Sequence, residues 1–317
     1  MKKILLIAIF ALLAGCENPF SPRGPYTPRL VVYSVLSNIR GTQFVRVSAT
    51  SDPSGVVTQL PDSGIAGADV RIVTPDSVFV FRDTVLQLDQ TGESIHAYVC
   101  DSMAVTHGTS YRLQVQSGSL TGQSSISAPT APSMVIPGTT AQSLDHPIGF
   151  GFVPGGHMLR FTPRLSANTR SCLIRMYIEF QTRVGPDTIS HRWEVPMFVS
   201  DTSFSDPLYP GFVYADRSSF DIQYSEDAYA ITLAKIVFKY SILVKFTYVM
   251  FEVYQIGEPL QNYSSVVNGF QDELSIRSDT PDYSNISGGL GLFGVYTRDE
   301  IRRPFPKDFY YDPAPAH

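Results

Sequence analysis

Cys16 is the residue of this chain whose chemistry is most plainly legible. It stands directly after Leu13-Ala14-Gly15, which follows Lys2, Lys3 and an apolar run from Ile4 to Leu13. A basic start, a short apolar stretch and a small-residue cleavage site form an export signal. The run falls short of the ~20 residues that a bilayer-spanning helix needs. Leu13-Ala14-Gly15-Cys16 reads as a bacterial lipobox, in which the Cys16 sulfur carries a lipid and the chain is cut just before it. The expected chemistry is alkylation of one sulfur, which makes Cys16 an anchor. An ordinary signal peptide with an incidental cysteine is the bland alternative.

The other reactive side chains form no comparable pattern. His96, His107, His146, His157, His191 and His317 show no H-x-x-x-H or cysteine-paired spacing, so no metal site is expected. Cys100 and Cys172 could form one disulfide in an exported chain. Nothing in the sequence brings them together, and burial as small apolar groups is the favoured expectation.

His191-Arg192-Trp193-Glu194 is locally rich in functional groups. Trp193 is a tentative ligand contact that could stack on a sugar ring while Arg192 and Glu194 hydrogen-bond it. A strand with Trp193 in the core and its charges in solvent is the stronger expectation. Glu179, Asp187, Glu194, Glu226, Asp227 and Glu252 supply carboxylates, and glycoside hydrolysis needs two of them about 5–9 Å apart. G-x-S-x-G and the S-x-x-K set are absent. No catalytic residue is assigned and a non-enzyme is expected.

Gly289-Leu290-Gly291-Leu292-Phe293-Gly294 satisfies G-x-G-x-x-G, which at a dinucleotide site opens a helix within a βαβ unit. Too little chain follows it, so the glycines are read as a tight turn or close backbone packing and no cofactor is expected.

Whatever chemistry there is must be positioned by strands. Tyr at 17, Phe at 20 and a single Trp accompany Gly and Pro at 23 each, spread between short apolar runs. That pattern is all-β. Strands are predicted over Leu30–Leu36, Gln43–Ala49, Ala68–Val73, Ser77–Arg82, Ser94–Cys100, Ser110–Gln116 and Leu120–Ser127. Seven strands in about 100 residues fit an immunoglobulin- or fibronectin-like β-sandwich.

Met158–Leu165 and Cys172–Arg183 continue the pattern, and Ile236–Met250 alternates as one long strand that must bend or bulge. Tyr248–Gln255 could instead begin a short helix, and Ser225–Leu233 is the other helical candidate, with Glu226 and Asp227 in its first turn. The expected organisation is a lipoprotein signal peptide at 1–15 and a lipidated, Pro-rich tether at 16–28. A sandwich at 29–128, a linker at 129–147 and a second mostly-β domain at 148–317 with one or two short helices follow.

Three stretches resemble one family. The lipobox and tether lead into Pro28-Arg29-Leu30-Val31-Val32-Tyr33-Ser34-Val35-Leu36. Ile65-Ala66-Gly67-Ala68-Asp69-Val70-Arg71-Ile72 is followed by Gly108-Thr109-Ser110-Tyr111-Arg112-Leu113-Gln114-Val115. Asn285-Ile286-Ser287-Gly288-Gly289-Leu290-Gly291-Leu292-Phe293-Gly294-Val295-Tyr296 stands near the end. Together they are similar to the Bacteroidota lipoproteins grouped as domain of unknown function 4249. The resemblance implies a sandwich with a Gly-rich closing strand and an accessory role beside a TonB-dependent outer-membrane receptor. It assigns no catalytic residues, and residues 185–235 match no pattern.

With the signal removed, 22 Lys and Arg face 29 Asp and Glu, a net charge of −7, and no basic cluster tracks a phosphate backbone. Nucleic acid is not an expected partner. The expected protein is a non-catalytic lipoprotein, held to the outer membrane by its lipid, with the cell surface favoured over the periplasmic face and the choice between them left open. It would act as a binding or accessory module with a TonB-dependent receptor, taking a glycan or peptide ligand. A structural or adhesive surface protein is the alternative, and a surface carbohydrate-active hydrolase comes behind it.

Overall fold

A computed structural model describes residues 26–39, 41–51, 64–87, 94–136, 144, 156–200, 206–215, 220–240, 244–266, 283–309 and 311. Leu13, Ala14, Gly15 and Cys16 lie outside them. In chain order the first strands are β1 (Leu30–Ser37), β2 (Gln43–Ala49), β3 (Asp69–Val73), β4 (Val78–Val80) and β5 (Arg82–Gln87). Then come β6 (Ser94–Cys100), β7 (Ser110–Ser117), β8 (Leu120–Ser127) and β9 (Ser133–Val135).

The expected strand Ser77–Arg82 is in fact two. Phe81 is buried between β4 and β5, and the chain crosses there from one sheet to the other. Sheet β4-β3-β7-β8 faces the strands β5-β6-β2-β1. Alternation does the rest: in β7 Tyr111, Leu113 and Val115 are buried while Arg112, Gln114 and Gln116 are exposed. The buried set joins Val32, Val45, Val47, Val70, Ile72 and Tyr98 in one core, giving a β-sandwich.

The later elements are β10 (Met158–Arg164), β11 (Thr169–Val184), β12 (Asp187–Val195), β13 (Phe198–Val199), β14 (Pro207–Leu208), β15 (Val213–Tyr214) and β16 (Ile222–Ser225). After these come α1 (Glu226–Tyr240), β17 (Lys245–Gly257), α2 (Glu258–Val266) and β18 (Gly289–Pro304). The expected strand Ile236–Met250 is therefore corrected: its first residues are the end of α1. Tyr229, Leu233, Ile236 and Tyr240 recur at helical spacing and pack on the second core, whereas Phe238 is 74% exposed. Tyr248–Gln255 is strand within β17, not helix. The bulge expected in this run is present where Glu179 pairs Tyr248 but Phe180 pairs Phe246. α1 starts as read, with Glu226 and Asp227 in its first turn; α2, with Pro259 in its own first turn, was not anticipated.

One sheet runs through both halves of the chain in the order β12-β11-β17-β18-β1-β2-β6-β5, with β15 also on β11. β18 makes this possible. It pairs parallel with β1, Leu30 opposite Gly289 through Ser37 opposite Tyr296, and antiparallel with β17 from Ile256–Tyr296 to Tyr248–Pro304. Its inward residues serve two cores in turn, Phe293 and Val295 in the sandwich and Ile301 in the second core, which Phe305 joins just past the strand's end. Its outward residues do the same on the other face. Leu292 and Tyr296 pack under α2 with Tyr33 and Leu260, and Arg298, Glu300 and Arg302 follow.

Polar bonds tie the halves together at this strand. His107 lies 2.8 Å from Asp299 through Nε2 and 3.0 Å from the Pro129 carbonyl through Nδ1. Buried Gln255 donates to the Thr130 carbonyl and accepts from Ser166 N and Thr169 Oγ1. The Gly-rich segment lies in β18, where Gly291, at φ +115°, passes so close to Val32 that a side chain would strike its carbonyl. Cys100 and Cys172 are free and buried, one in each core.

Candidate functional site: the charged face of the C-terminal sheet

Strand alternation alone collects the site. On β11, Ile174, Met176 and Ile178 are buried in the core, so Arg175, Tyr177 and Glu179 must stand on the opposite face. Register then brings neighbours across. Glu194 of β12 pairs with Tyr177 and Arg192 with Glu179. Glu252 of β17 stands between Arg175 on β11 and Glu300 on β18, and Tyr254 between Leu173 and Arg298. The β11–β12 hairpin and the distant strands β17 and β18 thus deliver arginines and glutamates to one surface.

Glu252 is the centre. It is 3% exposed, and its Oε1 accepts from Arg192 Nη2 at 3.0 Å and from Arg298 Nη2. Tyr177 Oη donates to Oε2 at 3.4 Å. Burying a carboxylate costs free energy unless paired charge and hydrogen bonds offset its lost hydration, and both guanidiniums supply them. The Arg192 guanidinium also lies 3.9 Å over the Tyr177 ring, a cation–π contact that fixes its direction.

The network extends outward through Glu300. Arg302 reaches Glu300 Oε2 at 2.6 Å and grips both oxygens of Glu179, at 3.0 and 3.1 Å. The fork geometry fits a carboxylate in two places at once. These bonds, that to Glu179 first, push the Arg302 guanidinium above its ordinary value. At the other end Arg175 Nε lies 3.6 Å from Glu194 Oε1. Burial raises Glu194 above the usual carboxylate range, against the opposing pull of Arg175. Burial likewise raises the Tyr177 and Tyr254 phenols.

Beside this lattice lies an exposed apolar run. Leu208, Tyr209, Phe212, Val213 and Tyr214 are each 45–67% exposed within seven residues of chain. Phe212 meets Tyr254 edge-on at 6.5 Å, Tyr209 feels the Glu194 charge, and Tyr214 pairs with Ser171 on the charged face. Large apolar side chains left this exposed beside a polar network mark a candidate contact surface.

Trp193 sits elsewhere. It shares a strand with Arg192 and Glu194 but points to the opposite face, half-buried against Phe180 and Tyr240, with Lys239 Nζ 5.0 Å over its ring. Glu226 is buried at the start of α1 and not on a lattice strand. Three of the six carboxylates singled out from sequence, Glu179, Glu194 and Glu252, meet here. Arg192, named from sequence beside Trp193 and Glu194, meets them too, whereas no sequence motif singled out Arg175, Arg298, Arg302, Tyr177 and Tyr254. The signal that finds them is a charged residue alternating with core residues, as in Arg175-Met176-Tyr177-Ile178-Glu179 and Phe251-Glu252-Val253.

Among the described residues no group of three or more His, Cys, Asp or Glu is placed to hold a metal ion. No described helix is long and apolar enough to cross a membrane.

The profile of the family described as domain of unknown function (DUF4249) matches residues 17–302. The chain belongs to this family. The match covers the sandwich, β17 and nearly all of β18, so the charged face is DUF4249 territory. No curated protein matches the chain.

Proposed function

We propose that this DUF4249 protein is a non-catalytic lipoprotein, anchored to the outer membrane through Cys16. It works as a binding or accessory module of a TonB-dependent receptor. Leu13-Ala14-Gly15-Cys16 and the four prolines that follow support the anchor. The observation that carries the binding role is the face around Glu252. Its centre is closed by Arg192 and Arg298, while a rim of exposed aromatic residues stays open beside it. Such a surface holds a partner by stacking and hydrogen bonds without placing Glu252 in contact with it.

The test is co-purification from detergent-solubilised outer membranes. A TonB-dependent receptor should be recovered with the wild-type chain, and Cys16→Ser should abolish recovery together with outer-membrane fractionation. Absence of any such receptor from the eluate and from the neighbouring genes would overturn this reading.

The exposed run Leu208–Tyr214 also favours a second reading, an adhesive surface protein that presents this segment to a polymer outside the cell. Cells lacking the gene would then lose attachment to that polymer while nutrient uptake stays unchanged.

A further inference from the structure

We propose that the charged face and its aromatic rim bind a neutral saccharide, a step that rests on reading the protein as a binding module. Charge selects the ligand class. On this face Arg175 stands beside Glu194, Arg192 and Arg298 beside Glu252, and Arg302 beside Glu179 and Glu300. A polyanion would meet the glutamates and a polycation the arginines, and either would have to displace a pair already made. A polyol makes no such demand. Each hydroxyl donates and accepts at once, so it can lie across a guanidinium N–H and the carboxylate beside it without separating them.

Exposure fits this division of labour. Glu252 is closed over, whereas the Arg175 and Arg302 side chains keep 39% and 41% of their surface and Glu300 keeps 31%. The Arg302–Glu300 pair and the outer part of Arg175 are therefore reachable, and the inner pair holds the geometry. The rim supplies the apolar half of sugar recognition. Tyr209, Phe212 and Tyr214 flank the lattice on one side, and exposed Tyr248, paired with Glu179 and Pro304, flanks it on the other. The C–H face of a pyranose ring stacks on such rings while its hydroxyls point sideways to polar groups. The spread of these residues over several strands suits an extended chain of sugars better than a single one.

The test is affinity electrophoresis of the full chain, purified in detergent, through gels cast with pullulan, dextran, xylan or mannan, and with heparin as the polyanion. At least one neutral polysaccharide should retard the wild type, and heparin should not. The double variant Tyr209→Ala/Phe212→Ala, at two exposed positions, should weaken that binding at least tenfold with Tm unchanged. Val78→Ser/Val80→Ser, on the sandwich edge, should leave it intact. No retardation by any neutral polysaccharide, equal retardation by heparin, or wild-type binding by the Tyr209/Phe212 variant would each overturn the proposal. Such a failure would leave the receptor partnership standing, because that is read by co-purification.

Discussion

Asn38 and Arg298, 260 residues apart, are joined by two hydrogen bonds: Asn38 Oδ1 accepts from Arg298 N at 2.8 Å and Asn38 Nδ2 donates to Arg298 O at 3.1 Å. β1 ends at Ser37, so from here β18 has lost its partner on that side. The Asn38 amide replaces the missing strand for one residue. That residue also sends its guanidinium to Glu252, so the cap fixes the backbone from which the lattice hangs. Asn38→Ala should cost about 1–3 kcal/mol, since it leaves a partly buried donor and acceptor without partners. Urea unfolding measures it, and an unchanged midpoint would show that water replaces the amide at no cost.

Glu252→Gln removes the central charge and keeps its shape. Arg192 and Arg298 then face each other without a counter-ion, except for Glu300 at 3.5–3.6 Å. Removing one member of a buried pair costs about 3–5 kcal/mol, discounted here because both guanidiniums remain partly hydrated. A loss of about 1–3 kcal/mol in denaturant unfolding is expected, larger than that of Tyr177→Phe, which deletes one long hydrogen bond. Equal losses in the two variants would show that Glu252 does not organise the face.

Glu194 gives the face a pH dependence. Burial holds its carboxyl above the ordinary 4.5, so the folded chain keeps this proton more tightly than the unfolded chain does. The associated stability is fully present below the unfolded value and is lost as pH rises through the raised folded one. Glu194→Gln removes this titration. Relative to wild type, the variant should gain stability as pH rises through and above the ordinary 4.5, and thermal melts at several pH values test that. A difference in Tm that stays constant over the range would assign the effect to something other than Glu194.

Gly291→Ala should be far costlier than Gly185→Ala. Both glycines have positive φ, +115° and +64°, but around Gly185 there is open space, whereas a Cβ at Gly291 would lie 2.0 Å from the Val32 carbonyl oxygen. Gly185→Ala carries only the left-handed backbone cost, about 1–2 kcal/mol. Gly291→Ala must also push β18 off its parallel partner β1, and a loss of about 3 kcal/mol or more is expected. Chemical denaturation of the two variants side by side decides it.

These positions show what the sequence made legible. The strands Gln43–Ala49, Ser94–Cys100 and Leu120–Ser127 begin and end where their alternation and flanking turn residues place them. Local pattern failed where two periods coincide. Ile236, Phe238 and Tyr240 alternate like a strand, yet Tyr229, Leu233, Ile236 and Tyr240 also trace a helix face, and packing on the core decides between them. Phe81 hid a sheet crossing inside an apolar run. The site was least visible of all. Glu252 meets Arg192 and Arg298 only because β11, β12, β17 and β18 adopt one register, and no short window of sequence contains that information.

Thiol counting tests the cores and the anchor together. Cys100 and Cys172 are unpaired and lie in different cores, and burial pushes the Cys172 thiol up to about 12. The thiolate is the reactive form, so at pH 8 Cys172 stays almost wholly protonated in the folded state. Iodoacetamide should therefore leave Cys172 in the native protein essentially unlabelled. In urea without reductant, Cys100 and Cys172 should both label, because no disulfide has to be broken first. Cys16 sets the total. If its sulfur carries a lipid, intact mass after labelling shows two carbamidomethyl groups on the mature chain; a third would mean a free Cys16 and would remove the anchor on which the outer-membrane reading depends.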